Sequence, residues 1–241
     1  MAIQYVSTDT TPLFEAATGN KTLLELLWGD HLVVLSVAGS RTKVSTRGKT
    51  GFVDSDAIGD ESLLEVYFID VGQGDGVLIR TPDNRHIMLD GGFDRTKQPT
   101  GKNAADFVDW KFAKDYGLNQ IHLDAMIASH NDADHYGGLS DLLDTSQSTE
   151  LDTDEILVDA FYHAGVGWWV NPTTHKRWLG PTTDDKKFLT QLMDKRAQVV
   201  AALKNDAEPK LQGEWADFMK HVTMAKTIAG TAPPIQRLSQ V

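Results

Sequence analysis

The chain contains no cysteine. Disulfides and thiolate-held zinc are therefore excluded, and any transition metal must rest on imidazole and carboxylate. No stretch approaches the roughly 18–20 consecutive apolar residues that a membrane-spanning helix requires. Residues 1–11 offer neither a cationic start nor an apolar core, so they do not read as a secretory signal and a cytoplasmic address is the default expectation. Positive charge is scarce: 23 Lys and Arg stand against 34 Asp and Glu, a formal net charge of −11. Phosphate backbones are normally met by a basic face, so binding of long nucleic acid is disfavoured for the chain as a whole. Glycine and proline are not enriched, and 41% of the residues are hydrophobic. A disordered chain, a collagen-like repeat and a coiled coil are excluded as the whole architecture. The 241 residues allow one large domain, or one domain and a small module.

The first sixty residues read as short strands. An apolar run over residues 23–28 stops at Gly29-Asp30, a β-branched run follows over 31–37, and shorter runs lie at 43–46 and 51–54. Tight turns without a helical period point to a small β module, with a barrel as the preferred form. An N-terminal extension of the main sheet is the alternative. Residues 20–58, ending in Gly51-Phe52-Val53, resemble a bacterial SH3-like domain. That resemblance implies a module at 1–60 with a peptide or glycan partner.

Past residue 60 the texture changes. Strands are expected at 63–70, 77–80 and 86–90, with the glycine-rich turn Gly72-Gln73-Gly74-Asp75-Gly76 between the first two. A strand rather than a helix follows those glycines, which argues against a dinucleotide fingerprint and for a hairpin with close backbone approach. A helix is expected over 103–116, one strand over 121–128 and a short helix over 137–143. Another strand is expected over 155–162, then helices over 184–204 and 214–224. Strands followed by alternating helix and strand indicate an α+β sandwich with helices packed outside.

One hexapeptide concentrates metal-compatible side chains: His130-Asn131-Asp132-Ala133-Asp134-His135, directly after a buried strand. His130 and Asp132, two apart in an irregular loop, can converge on one cation. Asp134 and His135 point differently, which suits a second cation beside the first. Two cations at roughly 3.5–4 Å can hold both the attacking and the leaving oxygen of a displacement. The donor set suits Zn²⁺ first, with Mn²⁺ or Fe as alternatives. An acidic loop that merely solvates itself would not need two histidines. A calcium loop needs a different alternation of acidic residues, and a helical His-Asp phosphohydrolase pair would not follow a strand.

Together with Asp70-Val71-Gly72-Gln73-Gly74-Asp75-Gly76 and Met88-Leu89-Asp90-Gly91-Gly92, the stretch Ser129 to Gly138 resembles the metallo-β-lactamase fold. It is most similar to the ComEC-like branch associated with DNA uptake, which also has Asp at the position of Asp132 where the wider family has His. The resemblance covers residues 63–143. It implies that His130 and Asp132 serve one metal, that Asp134 and His135 serve the other, and that Asp134 orients or deprotonates the attacking water. It also implies that Asp90 fixes the loop by accepting hydrogen bonds. Asp75 is a further candidate at the metal rim, although a plain turn residue is the preferred reading.

The same resemblance implies a duplicated αββα sandwich whose later strands supply a bridging Asp and a further His. Neither motif is found after residue 143. His163 is the candidate substitute, ahead of His175 and His221, but a hydrogen-bonding role is the preferred reading for each. The expectation is that the domain at 61–241 is the N-terminal part of a longer protein, with under-ligated metal sites and open apolar surface. The aromatic group Phe161, Tyr162, Trp168, Trp169 and Trp178 is expected to pack under the helix at 184–204, with one Trp open to the site mouth. The functional expectation is a metal-dependent hydrolase using a metal-activated water on a phosphodiester, nucleotide-like or other polar ester. The alternative is an interaction protein whose SH3-like module binds while the second domain is inactive; a thioester or lactam hydrolase is a third reading.

Overall fold

The computed structural model describes residues 2–238. Alternating apolar residues at its start build one antiparallel sheet from β1 (Ala2–Val6), β2 (Thr10–Phe14), β3 (Thr22–Leu27), β4 (His31–Ala38), β5 (Arg41–Thr46), β6 (Lys49–Asp54) and β7 (Ile58–Gly59). The spatial order is β3-β2-β6-β5-β4-β1-β7. Its inward residues, Val6, Leu13, Leu26, Leu32, Val44 and Val53, form a hydrophobic cluster of their own. The expected barrel is not closed: among the described residues β3 and β7, at the two ends, share no ladder. The strands also do not extend the main sheet, and β1 and β2 add to the module two strands that were not foreseen.

The second sheet runs β17-β14-β12-β10-β9-β8. It consists of β8 (Glu65–Phe68), β9 (Val77–Arg80), β10 (His86–Leu89), β12 (Ala125–Ala128), β14 (Phe161–His163) and β17 (Ile235–Arg237). The first three form an antiparallel meander, and β10, β12, β14 and β17 are parallel. A separate parallel pair joins β11 (Gln120–Leu123) to β13 (Glu155–Val158). The expected strands at 121–128 and 155–162 are thus each two strands in different sheets. Aspartates make both breaks. Asp124 exchanges bonds with the His86 backbone, its N–H donating to the His86 carbonyl and its carboxylate accepting the His86 N–H, both at 2.8 Å. Asp159 accepts from the Ile228 N–H and pairs with His122.

Helices cover one face of this sheet. α1 (Ala104–Trp110) begins with a capping box between Asn103 and Asp106 and continues into a π turn to Asp115. α2 (Ala133–Leu143) packs against α4 (Gly213–Met224). On the covered face Leu78, Met88, Met126, Ala128, Phe161 and Ile235 are buried among Val108, Phe112, Leu139 and Phe218. The other face presents Val66, Phe68, Ile79, Ile87, Leu89 and Ile127, all exposed or half-buried. Strand alternation over one hydrophobic side thus produces a sheet with two apolar faces and helices on one.

Residues 184–204 depart from the expected long helix. Only α3 (Arg196–Ala202) is helical. Upstream, the Thr183 hydroxyl accepts the Phe188 N–H, Asp185 accepts the Lys187 N–H, and Lys186 adopts φ 58°. Short polar side chains that bond to the local backbone compete with helix formation. The aromatic group therefore does not pack under one long helix. Phe161 meets Phe218, and Trp169 is buried in the hairpin of β15 (Trp169–Val170) and β16 (Arg177–Trp178). The strand β17 after the helices was likewise not foreseen.

Candidate metal centre

The metal-compatible residues gather where β10 and β12 end side by side. β12 delivers Ser129 and His130; the chain then turns, and Asp132 becomes the N-cap of α2 with Asp134 in its first turn. An aspartate in that position ordinarily accepts a backbone N–H of the helix. Here it makes no capping bond, and its Oδ2 lies 3.5 Å from His130 Nε2. The rings of His130 and His135 are 3.7 Å apart between centroids. His135 Nε2 is 3.9 Å from an Asp134 oxygen, and its Nδ1 is 4.0 Å from Asp75 and 2.8 Å from Asp90. One potential ligand atom from each of Asp75, Asp90 and His135 falls within 4.8 Å of the others.

Asp90 organises this group from below. It is 2% exposed and follows β10 with φ 54°, a left-handed conformation that Asp tolerates better than most residues. Its Oδ1 accepts the Ser129 N–H at 2.8 Å, and its Oδ2 accepts the Ser129 hydroxyl at 2.5 Å. The proton of that hydroxyl is committed to Asp90, so the 3.1 Å contact between Ser129 Oγ and His130 Nδ1 is made with the imidazole N–H donating. His135 Nδ1–H donates to Asp90 directly. In the neutral form of each ring, a bond made through Nδ1–H leaves Nε2 as the lone pair, the form a metal ligand takes.

Glycines fix the distances. A β-carbon on Gly138 would stand 2.1 Å from the Gly91 carbonyl oxygen, so the loop after β10 and the helix α2 meet backbone to backbone. Gly91 N–H donates to the His135 carbonyl at 2.7 Å, and Gly138 N–H donates to the Gly92 carbonyl at 3.1 Å. Among the hairpin glycines, Gly74 approaches a specific partner, the backbone of Asp134. Gln73, beside them, donates through Nε2 to Asp134 Oδ2 at 3.2 Å.

His130, Asp132, Asp134, His135, Asp75 and Asp90 are therefore brought together, and His163 is not. His163 is fully buried, its Nδ1 accepts the Gly165 N–H, and burial lowers its pKa to about 4. Reasoning from the sequence missed Ser129 and Gln73, whose roles depend on residues far along the chain. It also missed a second donor group, His122, Asp124 and Asp159. There the carboxylates are already engaged by the backbone at the two strand breaks.

Two adjoining sets of nitrogen and oxygen donors, both imidazoles presenting Nε2 and one N-cap carboxylate released from capping, fit a divalent transition metal in type and convergence. A search of curated proteins finds no match to this chain. The sequence model of the metallo-beta-lactamase superfamily matches residues 69–212, which contain every one of these donors. The chain belongs to the metallo-beta-lactamase superfamily.

Proposed function

We propose that this chain is a metal-dependent hydrolase acting on a phosphodiester, nucleotide-like or other polar ester. The observation that carries the reading is the meeting of His130 and Asp132 with Asp134, His135 and Asp75 at one sheet edge, the two imidazoles in contact. Superfamily membership suggests the same class of chemistry. His130 and Asp132 would hold one cation, and Asp134 and His135 the other, with zinc preferred. When bound, such a pair supplies Lewis acidity that brings the pKa of water toward neutrality and screens charge on the scissile group.

The chain's own residues do the rest. Asp90, through Ser129 and directly, holds the two imidazoles in the tautomer that leaves Nε2 free. Asp134, steadied by Gln73, accepts a proton from the attacking water at its carboxylate. Asp75, largely exposed, adds negative charge at the rim. Asp132 in place of the wider family's histidine supports the ComEC-like branch and hence a phosphoester. The net charge of −11 favours a small substrate over long nucleic acid. We further read residues 1–60 as an SH3-like module and 61–241 as the metallo-β-lactamase domain, on the two separate sheets with separate cores.

The test is zinc content by elemental analysis together with hydrolysis of bis(p-nitrophenyl) phosphate. Wild type is expected to take up zinc and turn over the diester; His130→Ala is expected to lose both while its circular dichroism is unchanged. A wild-type chain that takes up no zinc, manganese or iron overturns the reading.

A further inference from the structure

Every arginine but one has a hydrogen-bonded partner among the described residues. Arg41, Arg47, Arg80, Arg85, Arg95 and Arg237 pair with carboxylates. Arg196 donates to the carbonyls of Thr223 and Pro233. Arg177 is the exception, in a chain with a surplus of eleven negative charges. It is exposed, on β16, and the register opposite Val170 sets it at the turn end of the hairpin, on the face that Val170 shares with Trp168. Its guanidinium carbon stands 3.8 Å over the Trp168 ring.

Trp168 connects that cation to the metal loop. Its indole N–H donates to the Asn131 carbonyl at 2.6 Å, and Asn131 lies between the candidate ligands His130 and Asp132. A guanidinium stacked on an indole has one face desolvated and its orientation fixed, while its edge N–H groups stay free. That edge is the fork that matches two oxygens of a phosphoryl group.

We propose that Arg177, clamped over Trp168, binds the phosphoryl oxygens of the substrate beside the loop His130-Asn131-Asp132. The proposal rests on the hydrolase reading above and makes it more specific: the substrate carries an anionic oxygen group next to the scissile bond. Trp168 is a positioning residue. It fixes the guanidinium relative to the Asn131 carbonyl and touches the anion only through Arg177.

The test is titration of inorganic phosphate into the zinc-supplemented full chain by calorimetry, comparing wild type with Arg177→Ala, Arg177→Lys and Trp168→Phe. Acetate at equal ionic strength is the control, and zinc content is measured separately on each protein. Arg177 is exposed and Trp168 half-buried, and unchanged unfolding curves will establish that the variants fold. Loss of a charge-assisted, bidentate contact should weaken phosphate binding roughly 10- to 100-fold in Arg177→Ala. Arg177→Lys should restore part of the affinity, Trp168→Phe should fall between, and acetate should respond little. Equal phosphate affinity in wild type and Arg177→Ala overturns the clamp and leaves the hydrolase reading standing if zinc is present. A chain that takes up no zinc, manganese or iron fails the hydrolase reading. In that case phosphate binding that still depends on Arg177 keeps the clamp, and absence of phosphate binding by wild type removes it. Acetate affinity that falls as much as phosphate affinity assigns the site to carboxylates and overturns the phosphoryl assignment.

Discussion

Gly74 lies against the backbone of Asp134 so closely that a β-carbon on it would stand 1.7 Å from the Asp134 carbonyl oxygen. The hairpin between β8 and β9 is thereby pressed onto the first turn of α2, and Gln73 reaches the Asp134 carboxylate. Gly74→Ala must push the two segments apart and also strain a residue at φ 90°. Strain of this kind costs about 1–3 kcal/mol. Metal uptake should weaken at least tenfold in Gly74→Ala, measured by competition with a chelator. Gly101→Ala, where a β-carbon meets nothing within 4 Å, should leave uptake unchanged. Equal loss in both variants would show that the close approach does not matter.

Asp90 offers a sharper separation between holding the site and holding the fold. Removing its carboxylate leaves the Ser129 N–H, the Ser129 hydroxyl and His135 Nδ1 without their acceptor. Leaving such groups without their charged partner costs up to about 1–3 kcal/mol each, and less at the exposed Ser129, where water can replace the carboxylate. Asp90→Ala should therefore lower the urea midpoint of the metal-free chain as well as metal affinity. Asp90→Asn keeps the shape and one acceptor oxygen, but cannot favour Nδ1–H on both rings. It should retain most of the stability and still lose metal affinity. A variant that loses stability alone would reduce Asp90 to a structural role.

The hexad from His130 to His135 was legible because every donor it contributes is contiguous and follows a recognisable strand. Asp90 and Asp75 were legible only through their glycine-rich surroundings. Ser129 gave no signal: its hydroxyl matters because Asp90, far back in the chain, sits beneath it. The strand breaks at Asp124 and Asp159 were hidden for a different reason. One aspartate within an apolar run fits the alternation of a strand, and nothing local shows that it bonds to His86 or His122 and moves the chain to another sheet. At 184–204 the spacing of apolar residues suited a helix. The competing bonds of Thr183 and Asp185, together with the positive φ of Lys186, took the first half away.

Three buried histidines make the chain acid-sensitive. Burial, reinforced by Arg80, lowers the pKa of His31 to about 4 and that of His86 to about 3, and burial lowers His163 to about 4. His31 and His86 lie on either side of Tyr116, at 4.9 and 5.6 Å between ring centroids, where the first sheet meets the second. All three are neutral in the fold, whereas the unfolded chain binds protons from about pH 6.5 downward. Between pH 6.5 and 4 the unfolded state thus holds more protons, and stability falls as pH falls; above that window they contribute no slope. For His31 the loss across the window is on the order of 3 kcal/mol. Urea unfolding of His31→Phe at pH 7.5 and 4.5 should show a smaller drop than wild type. An identical drop in the two proteins would remove His31 as a source of the sensitivity.

The second face of the main sheet is apolar and open. Phe68 is 84% exposed on β8, Val66 is 43% exposed beside it, and Ile79, Ile87 and Ile127 continue the apolar surface across β9, β10 and β12. β8 is also an edge strand with unpaired backbone groups, and apolar edges favour association. The folded full chain should bind an apolar fluorescent dye at neutral pH while still unfolding cooperatively. Phe68→Ser should reduce both dye binding and any concentration-dependent self-association seen by sedimentation. Its effect on stability should be small, because an exposed side chain has little burial to lose. The candidate metal-binding residues lie at the ends of β10 and β12 rather than on this face, so zinc uptake should be unaffected. Dye binding that persists undiminished in Phe68→Ser would place the exposed surface elsewhere.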